Sequence, residues 1–397
     1  MPPAHIAEWV MSDAEFQRLG HEVLAVSFLI ALAFGFVAQR ARFCTMGAIT
    51  DLVITGDWTR MRMWFVAAGT AVIGFNLMVF LGWVRAESSI YSGPRVIWLS
   101  AIVGGLLFGA GMVLASGCTS KNLLRAGAGN LKSVVVLMVV ALAGFATLKG
   151  ITAVVRVNVL DAVAANVAPN QDLPTLAAQA IGIGVPVAAA GLGAIVGVAL
   201  LAGALVARGG RSLENAASGF ALGALVVAAW WTSGVLGFVP ESPATLEPTF
   251  VATNTHRMEA LSFVSAVSYS ADYLLFFSDA SKALTVGIVS AVGLAVGAWL
   301  FATISGTFRW EGFRTVTDLR NHLFGGVMMG VGGVTALGCT IGQGLSGIST
   351  LSLTSFIALA SMVAGAAATV KTQMWSMERE DKPVAARDVP SLHRVED

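Results

Sequence analysis

One glycine-rich stretch occurs twice, once in each half of the chain. Gly104–Thr119 reads GGLLFGAGMVLASGCT and Gly325–Thr340 reads GGVMMGVGGVTALGCT. Without a gap, Gly104, Gly105, Gly109, Gly111 and Gly117 fall on Gly325, Gly326, Gly330, Gly332 and Gly338, and Cys118–Thr119 falls on Cys339–Thr340. Each copy is apolar over a helix length and then ends in Gly-Cys-Thr, where one helix stops and threonine is a good cap for the next. A fold that holds two such broken helices is built from two related halves. Duplication of this kind points to a transporter rather than a receptor or a simple anchor.

The setting for these helices is a membrane. Of 397 residues, 56% are hydrophobic and 12% charged, with 44 glycines and a mean hydropathy of +0.77, which excludes an ordinary soluble domain. A net charge of +1 gives no electrostatic basis for nucleic acid. The three cysteines, widely spaced and without C-x-x-C, form neither a disulfide framework nor a structural zinc site, and neither metal nor cofactor is expected. The N-terminus has no basic region leading into an apolar core and cleavage site, so no removable signal peptide is expected.

A hydrocarbon core about 30 Å thick takes roughly 20 apolar residues per helix. Nine stretches qualify, at 22–40, 62–84, 96–116, 131–153, 176–207, 215–234, 283–305, 320–337 and 351–371. Four apolar pieces are too short to span (44–56, 119–127, 259–277 and 340–349), and three of them lie beside a cysteine. At membrane depth such backbone survives only where protein or water covers it, so these are expected to be broken or re-entrant helices. Arg40, Arg42, Arg60 and Arg62 share one inter-span segment, Arg208 and Arg211 another, and Arg309, Arg314 and Arg320 a third. Segments 157–175 and 235–259 are acidic by contrast. The positive-inside rule then puts the N-terminus outside and the C-terminus in the cytoplasm. The expected fold is an all-α integral membrane protein with inverted 4+1+4 topology. It comprises an interfacial segment 1–21, a first repeat 22–175, a linker helix 176–207, a second repeat 208–375 and a disordered cytoplasmic tail 376–397.

The glycines recur four apart, at Gly105/Gly109, Gly326/Gly330, Gly193/Gly197, Gly219/Gly223 and Gly293/Gly297, which lets helix backbones approach closely. Chemistry concentrates at the cysteines. A helix restarted at Thr119–Ser120, or at Thr340 with Gly342 and Gln343 behind it, offers free backbone N–H groups and a positive dipole end to an anion. The thiols of Cys44, Cys118 and Cys339 add soft groups suited to sulfur, selenium or a soft metal. Arg40 and Arg42 read as anchors that also draw an anion to the inner mouth. His322 and Glu311 read as loop residues, and Met46, Met112, Met328 and Met329 as core.

The motifs RFCxxGAxxD at Arg42–Asp51, GMxLAxGCTS at Gly111–Ser120, RWEGFR at Arg309–Arg314 and GGVxALGCTIGQGLSGxSTL at Gly332–Leu351 resemble the YeeE/YedE membrane proteins, from about residue 25 to 372. The resemblance implies a bacterial inner-membrane importer of thiosulfate, not an enzyme, with Cys44, Cys118 and Cys339 along a central path. It also implies a small cytoplasmic sulfur-carrier protein as a partner, and for some relatives a selenium compound as the substrate. The second half departs from the first in having no cysteine where Cys44 maps, near Trp230–Gly234. Two further readings stay open. One is a membrane sulfurtransferase passing a persulfide from an activated Cys44; the other is a soft-metal carrier.

Overall fold

The computed structural model describes residues 12–206, 213–243, 245–279 and 281–380. The chain opens on α1 (Asp13–Arg40), whose N-terminus is closed by a reciprocal Ser12–Glu15 capping box. The short α2 (Thr45–Ile54) follows, then α3 (Thr59–Phe80), α4 (Trp98–Leu114), a second short helix α5 (Thr119–Gly127), and α6 (Leu131–Lys149). Beyond α6 the chain continues through α7 (Ile151–Val155) and a π turn at Arg156–Leu160. Next come α8 (Leu173–Ile181), α9 (Val185–Val206) and α10 (Leu213–Trp231). The remainder is α11 (Val264–Leu275), α12 (Val286–Ile304), α13 (Val316–Thr335), a short π-helix at Gly342–Gly347 and α14 (Leu353–Glu380).

Among the described residues, eight helices are long and apolar enough to cross a membrane. Of the nine expected spans, α13 falls short, because Asp318, Arg320, Asn321 and His322 occupy its first two turns. It lies between α4 and α6, with His322 buried, Asp318 and Asn321 partly covered and Arg320 exposed. His322, expected in a loop, is buried on α13 with its Nδ1 3.0 Å from the Asp318 carboxylate. The expected linker span 176–207 is two helices: Gly182 adopts φ 76°, a left-handed conformation that costs glycine least, and ends α8 before α9 begins. From Asp13 the N-terminal segment is already the first part of α1, and α14 runs on to Glu380. The loop with Arg208 and Arg211, the first eleven residues and most of the expected tail lie outside the described residues.

The duplicated helices meet each other. A β-carbon added to Gly104 would lie 2.7 Å from the Gly332 carbonyl, and one on Gly332 would lie 2.7 Å from that of Gly104. Gly111 and Gly325 stand in the same relation, each 2.7 Å from the other's carbonyl. Thus α4 and α13 cross antiparallel, and the contact is reciprocal, as across a two-fold axis. The neighbours follow suit. Gly105 and Gly109 receive α14, while Gly326 and Gly330 receive α6. Likewise α1 packs on α12 and α10 on α3, with Gly293 and Gly297 set on α1 and Gly219 and Gly223 on α3. Gly193 and Gly197 seat α9 on the outside of α3.

Loop contacts sort into two ends. At one, Arg40 pairs with Glu214 at 3.6 Å, and Lys132 with Asp318 at 2.8 Å and Glu311 at 3.6 Å. At the other, Arg95–Val96 pairs antiparallel with Ala165–Asn166, Ser89 bridges Met258, and Asp272 lies between Lys149 and Lys282, 2.9 Å from each.

Candidate functional site

The three cysteines share one local design. Two residues before each, a non-glycine residue holds a left-handed conformation: Arg42 at φ 51°, Ser116 at 55° and Leu337 at 57°. The next N–H reaches back five residues, Phe43 to the Ala38 carbonyl at 2.9 Å, Gly117 to Met112 at 2.8 Å and Gly338 to Gly333 at 2.8 Å. That bond is the mark of a Schellman stop. Each left-handed side chain costs of order 1–3 kcal/mol, strain that clusters at functional sites. The cysteine is then the first residue of the restart. Its carbonyl accepts from the N–H four residues on, Ala48 for Cys44 (3.0 Å), Asn122 for Cys118 (2.9 Å) and Gln343 for Cys339 (2.8 Å). The Cys44 thiol takes the Gly47 N–H at 3.3 Å, that of Cys339 takes the Gly342 N–H at 3.4 Å, and that of Cys118 adjoins Ser120 Oγ at 3.2 Å.

Cys118 and Cys339 are buried and Cys44 is partly open. Cys118 lies close enough to act electrostatically on both of the other thiols. Behind each thiol stands a threonine, Thr45, Thr119 and Thr340, at most 4% exposed. None of the three hydroxyls has a hydrogen-bond partner. A buried polar atom is normally satisfied, so three orphaned hydroxyls in equivalent places point to a ligand. Thr45 escaped the sequence reading, although a Cys-Thr pair at every cysteine is visible in the chain.

The breaks are braced by amides. Asn122 Nδ2 donates to the carbonyls of Gly117 and Cys118 at 2.8 and 3.1 Å, and Gln343 Nε2 donates to that of Ala336 at 2.6 Å. The NH2 of Gln343 is thus spent on the break, while its Oε1 is buried without a partner. Gly342 lies against Ser262 and Tyr91. Arg125 Nη1 donates to the Ser116 carbonyl at 2.6 Å.

The cations that act on Cys44 are Lys121 and Arg125. Lys121 forms no ion pair among the described residues and lies near the thiols of Cys44 and Cys118 and the guanidinium groups of Arg125 and Arg60. Arg60, paired to Asp51 at 3.4 Å, reaches over Gly47. Arg40 and Arg42 are exposed, with Arg40 held by Glu214.

The helix whose packing matches α2 is α11, seated on α6 and α12 as α2 is on α14 and α3. Phe263, fully buried, caps α11 as Cys44 caps α2, whereas in the Trp230–Gly234 region α10 runs on into a π turn. Two cavities adjoin the breaks. One of about 400 Å³ touches Ser116 and is lined by Arg125, Lys132, Arg309 and His322 against Glu311 and Asp318. The other, about 250 Å³, touches Leu337 and Gly338 and opens past Arg156, Arg257 and Glu259.

A model of the family described as Sulphur transport matches residues 40–368. The chain is 26% identical over 335 residues to the thiosulfate transporter TsuA of Escherichia coli (strain K12), covering 83% of this chain and 89% of that protein. It is 25% identical over 342 residues to the thiosulfate transporter TsuA of Spirochaeta thermophila, covering 83% and 93%. The probable transporter YedE of Escherichia coli matches more locally, 32% over 105 residues, which is 26% of this chain and 24% of that protein. The family match takes in all three cysteine breaks, and the chain belongs to the sulphur-transport (YeeE/YedE) family.

Proposed function

We propose that this protein imports thiosulfate, or a closely related small sulfur anion, across the bacterial inner membrane. The observation that carries the reading is the repetition of one design at all three cysteines: a strained stop, a thiol at the restart and an unpartnered threonine hydroxyl behind it. A thiosulfate ion has two kinds of ends, oxygens that want N–H and O–H donors and a soft terminal sulfur, and each break offers both. The names of the full-length relatives agree with that substrate.

In this reading the halves are inverted repeats, four spans each about the linker 176–207, with 22–175 and 208–375 as the units. The N-terminus is outside and the arginine-rich loops and C-terminus are cytoplasmic. The anion passes Cys339, then Cys118, then Cys44, its terminal sulfur handed between neutral thiols, since thiolates would repel it. Backbone N–H groups and hydroxyls at Thr119–Ser120 and at Thr340, Gly342 and Gln343 meet its oxygens, and Lys121 offsets its charge. Arg40 and Arg42 stand at the inner rim, where a small sulfur-carrier protein would collect the product. Several weak stations suit passage better than one tight site, because the ion must also leave.

The test is thiosulfate-dependent growth of a sulfur-starved host lacking its own uptake, comparing wild type with Cys118→Ala and Cys339→Ala at matched expression. Rescue by wild type alone is expected. Rescue by all three removes the thiol path, and no rescue by wild type removes thiosulfate.

A further inference from the structure

We infer that the phenol of Tyr91 and the hydroxyl of Ser262 form an oxyanion-holding pair over Cys339, the station that admits an anion with oxygens at one end and sulfur at the other. The inference rests on the thiosulfate reading and names two residues that reading does not use.

Both groups are brought to the break by the fold. Met258 bridges the segment around Ser89, with Met258 N–H on the Ser88 carbonyl at 2.9 Å and Ile90 N–H on the Met258 carbonyl at 3.3 Å. This sets Tyr91 and Ser262 side by side. Ser352 Oγ donates to the Tyr91 carbonyl at 2.7 Å, and the Tyr91 ring stands edge-on to Trp230, 6.1 Å between centroids. Trp230 is itself fixed by its Nε1 donating to Ser349 Oγ at 2.9 Å. On the other side, Ser346 Oγ donates to the Leu261 carbonyl at 2.8 Å and locks the residue before Ser262. The pair is thus held from both sides.

They converge on a glycine. A β-carbon on Gly342 would lie 2.5 Å from Ser262 Oγ and 3.4 Å from the Tyr91 hydroxyl, and the Gly342 N–H is the one that meets the Cys339 sulfur at 3.4 Å. Two hydroxyls and the Cys339 thiol therefore close on the backbone of Gly342, where no side chain fits. Tyr91 is 2% exposed, and neither its hydroxyl nor that of Ser262 completes a hydrogen bond of normal geometry, although the two adjoin. Leaving two buried hydroxyls unpaired is costly, and an oxyanion accepting from both would satisfy them. Burial pushes the Tyr91 phenol well above its usual range, so it stays a neutral donor. Ser262 also lines the 250 Å³ cavity, which puts the pair between Cys339 and the acidic-loop end of the molecule.

The experiment is uptake of radiolabelled thiosulfate into vesicles carrying wild type, Tyr91→Phe, Ser262→Ala and, as a control away from the break, Tyr273→Phe. Losing one hydrogen bond to a charged ligand is worth about tenfold. Tyr91→Phe and Ser262→Ala should each raise KM about tenfold while Vmax at matched protein holds within about twofold, and the control should leave both unchanged. A general packing defect would lower Vmax instead. Unchanged KM in both variants, or a loss confined to Vmax, overturns the assignment while leaving the transport reading intact. No uptake by wild type overturns both.

Discussion

At the scale of single residues, the site is a set of groups left incomplete. A protein that only needed to fold would place valine at positions 119 and 340, since a buried hydroxyl without a partner costs about 1–3 kcal/mol. Thr119→Val and Thr340→Val keep the shape and remove the hydroxyl. Each should therefore raise the thermal midpoint in detergent, by about 1–3 °C for a chain of this size, while cutting thiosulfate uptake about tenfold. Opposite signs for stability and transport are the signature of a residue kept for its ligand. A fall in both would make the hydroxyls part of the helix restart. The cysteines and the Gly-Cys-Thr pairs were legible in the sequence because the duplication displays them in register. Tyr91 and Ser262 were not, because their relation to Gly342 exists only once segments far apart in the chain are brought together. The role of Gln343 was half legible: its position beside Cys339 was clear, but its NH2 serves the Ala336 carbonyl.

At the scale of elements, the α4–α13 crossing decides the geometry, because both cysteine breaks hang from its ends. Gly104 and Gly332 touch backbone on the opposing helix, and backbone cannot yield as a flexible side-chain tip can. Gly104→Ala and Gly332→Ala should each destabilise by about 1–3 kcal/mol through overpacking, lowering the thermal midpoint and the yield of folded protein. Gly191 on α9 has open space where its β-carbon would go. Gly191→Ala should be neutral or stabilising, by up to about 1 kcal/mol from helix propensity. Equal losses at all three positions would mean that glycine matters here for flexibility rather than for contact. All four short apolar pieces expected from the sequence are short helices, since length against bilayer thickness is a robust criterion. The stop at Gly182 was hidden inside a continuous apolar run. The hairpin of Phe238–Val239 with Thr249–Phe250 and the segment leading to Phe263 separate α10 from α11, whereas Cys44 follows α1 closely, so a short helix capped by Phe263 could not be located by counting from α10.

At the scale of the whole molecule, the question is which way the path runs. The two halves are alike in packing but not in chemistry. Cys44 and Cys118 stand with Lys121, Arg125 and Arg60 toward the arginine-rich end, while Cys339 stands with Ser262 and Tyr91 toward the end where Glu259 and Asp272 sit among Arg156, Arg257, Lys149 and Lys282. On the import reading the cations beside Cys44 and Cys118 draw the anion inward, and the positive-inside rule assigns that end to the cytoplasm. Both arguments favour the same orientation on the proposed import reading, and labelling reads it directly. Gly312 and Glu247 are exposed loop residues at opposite ends, and Gly312 has open space where a side chain would go. In a Cys44→Ser background, Glu247→Cys should react with a membrane-impermeant maleimide in intact spheroplasts, and Gly312→Cys only after permeabilisation. The reverse pattern would turn the molecule over. Cys44 would then be the first thiol the anion meets, and Cys339, under its pair of hydroxyls, the last.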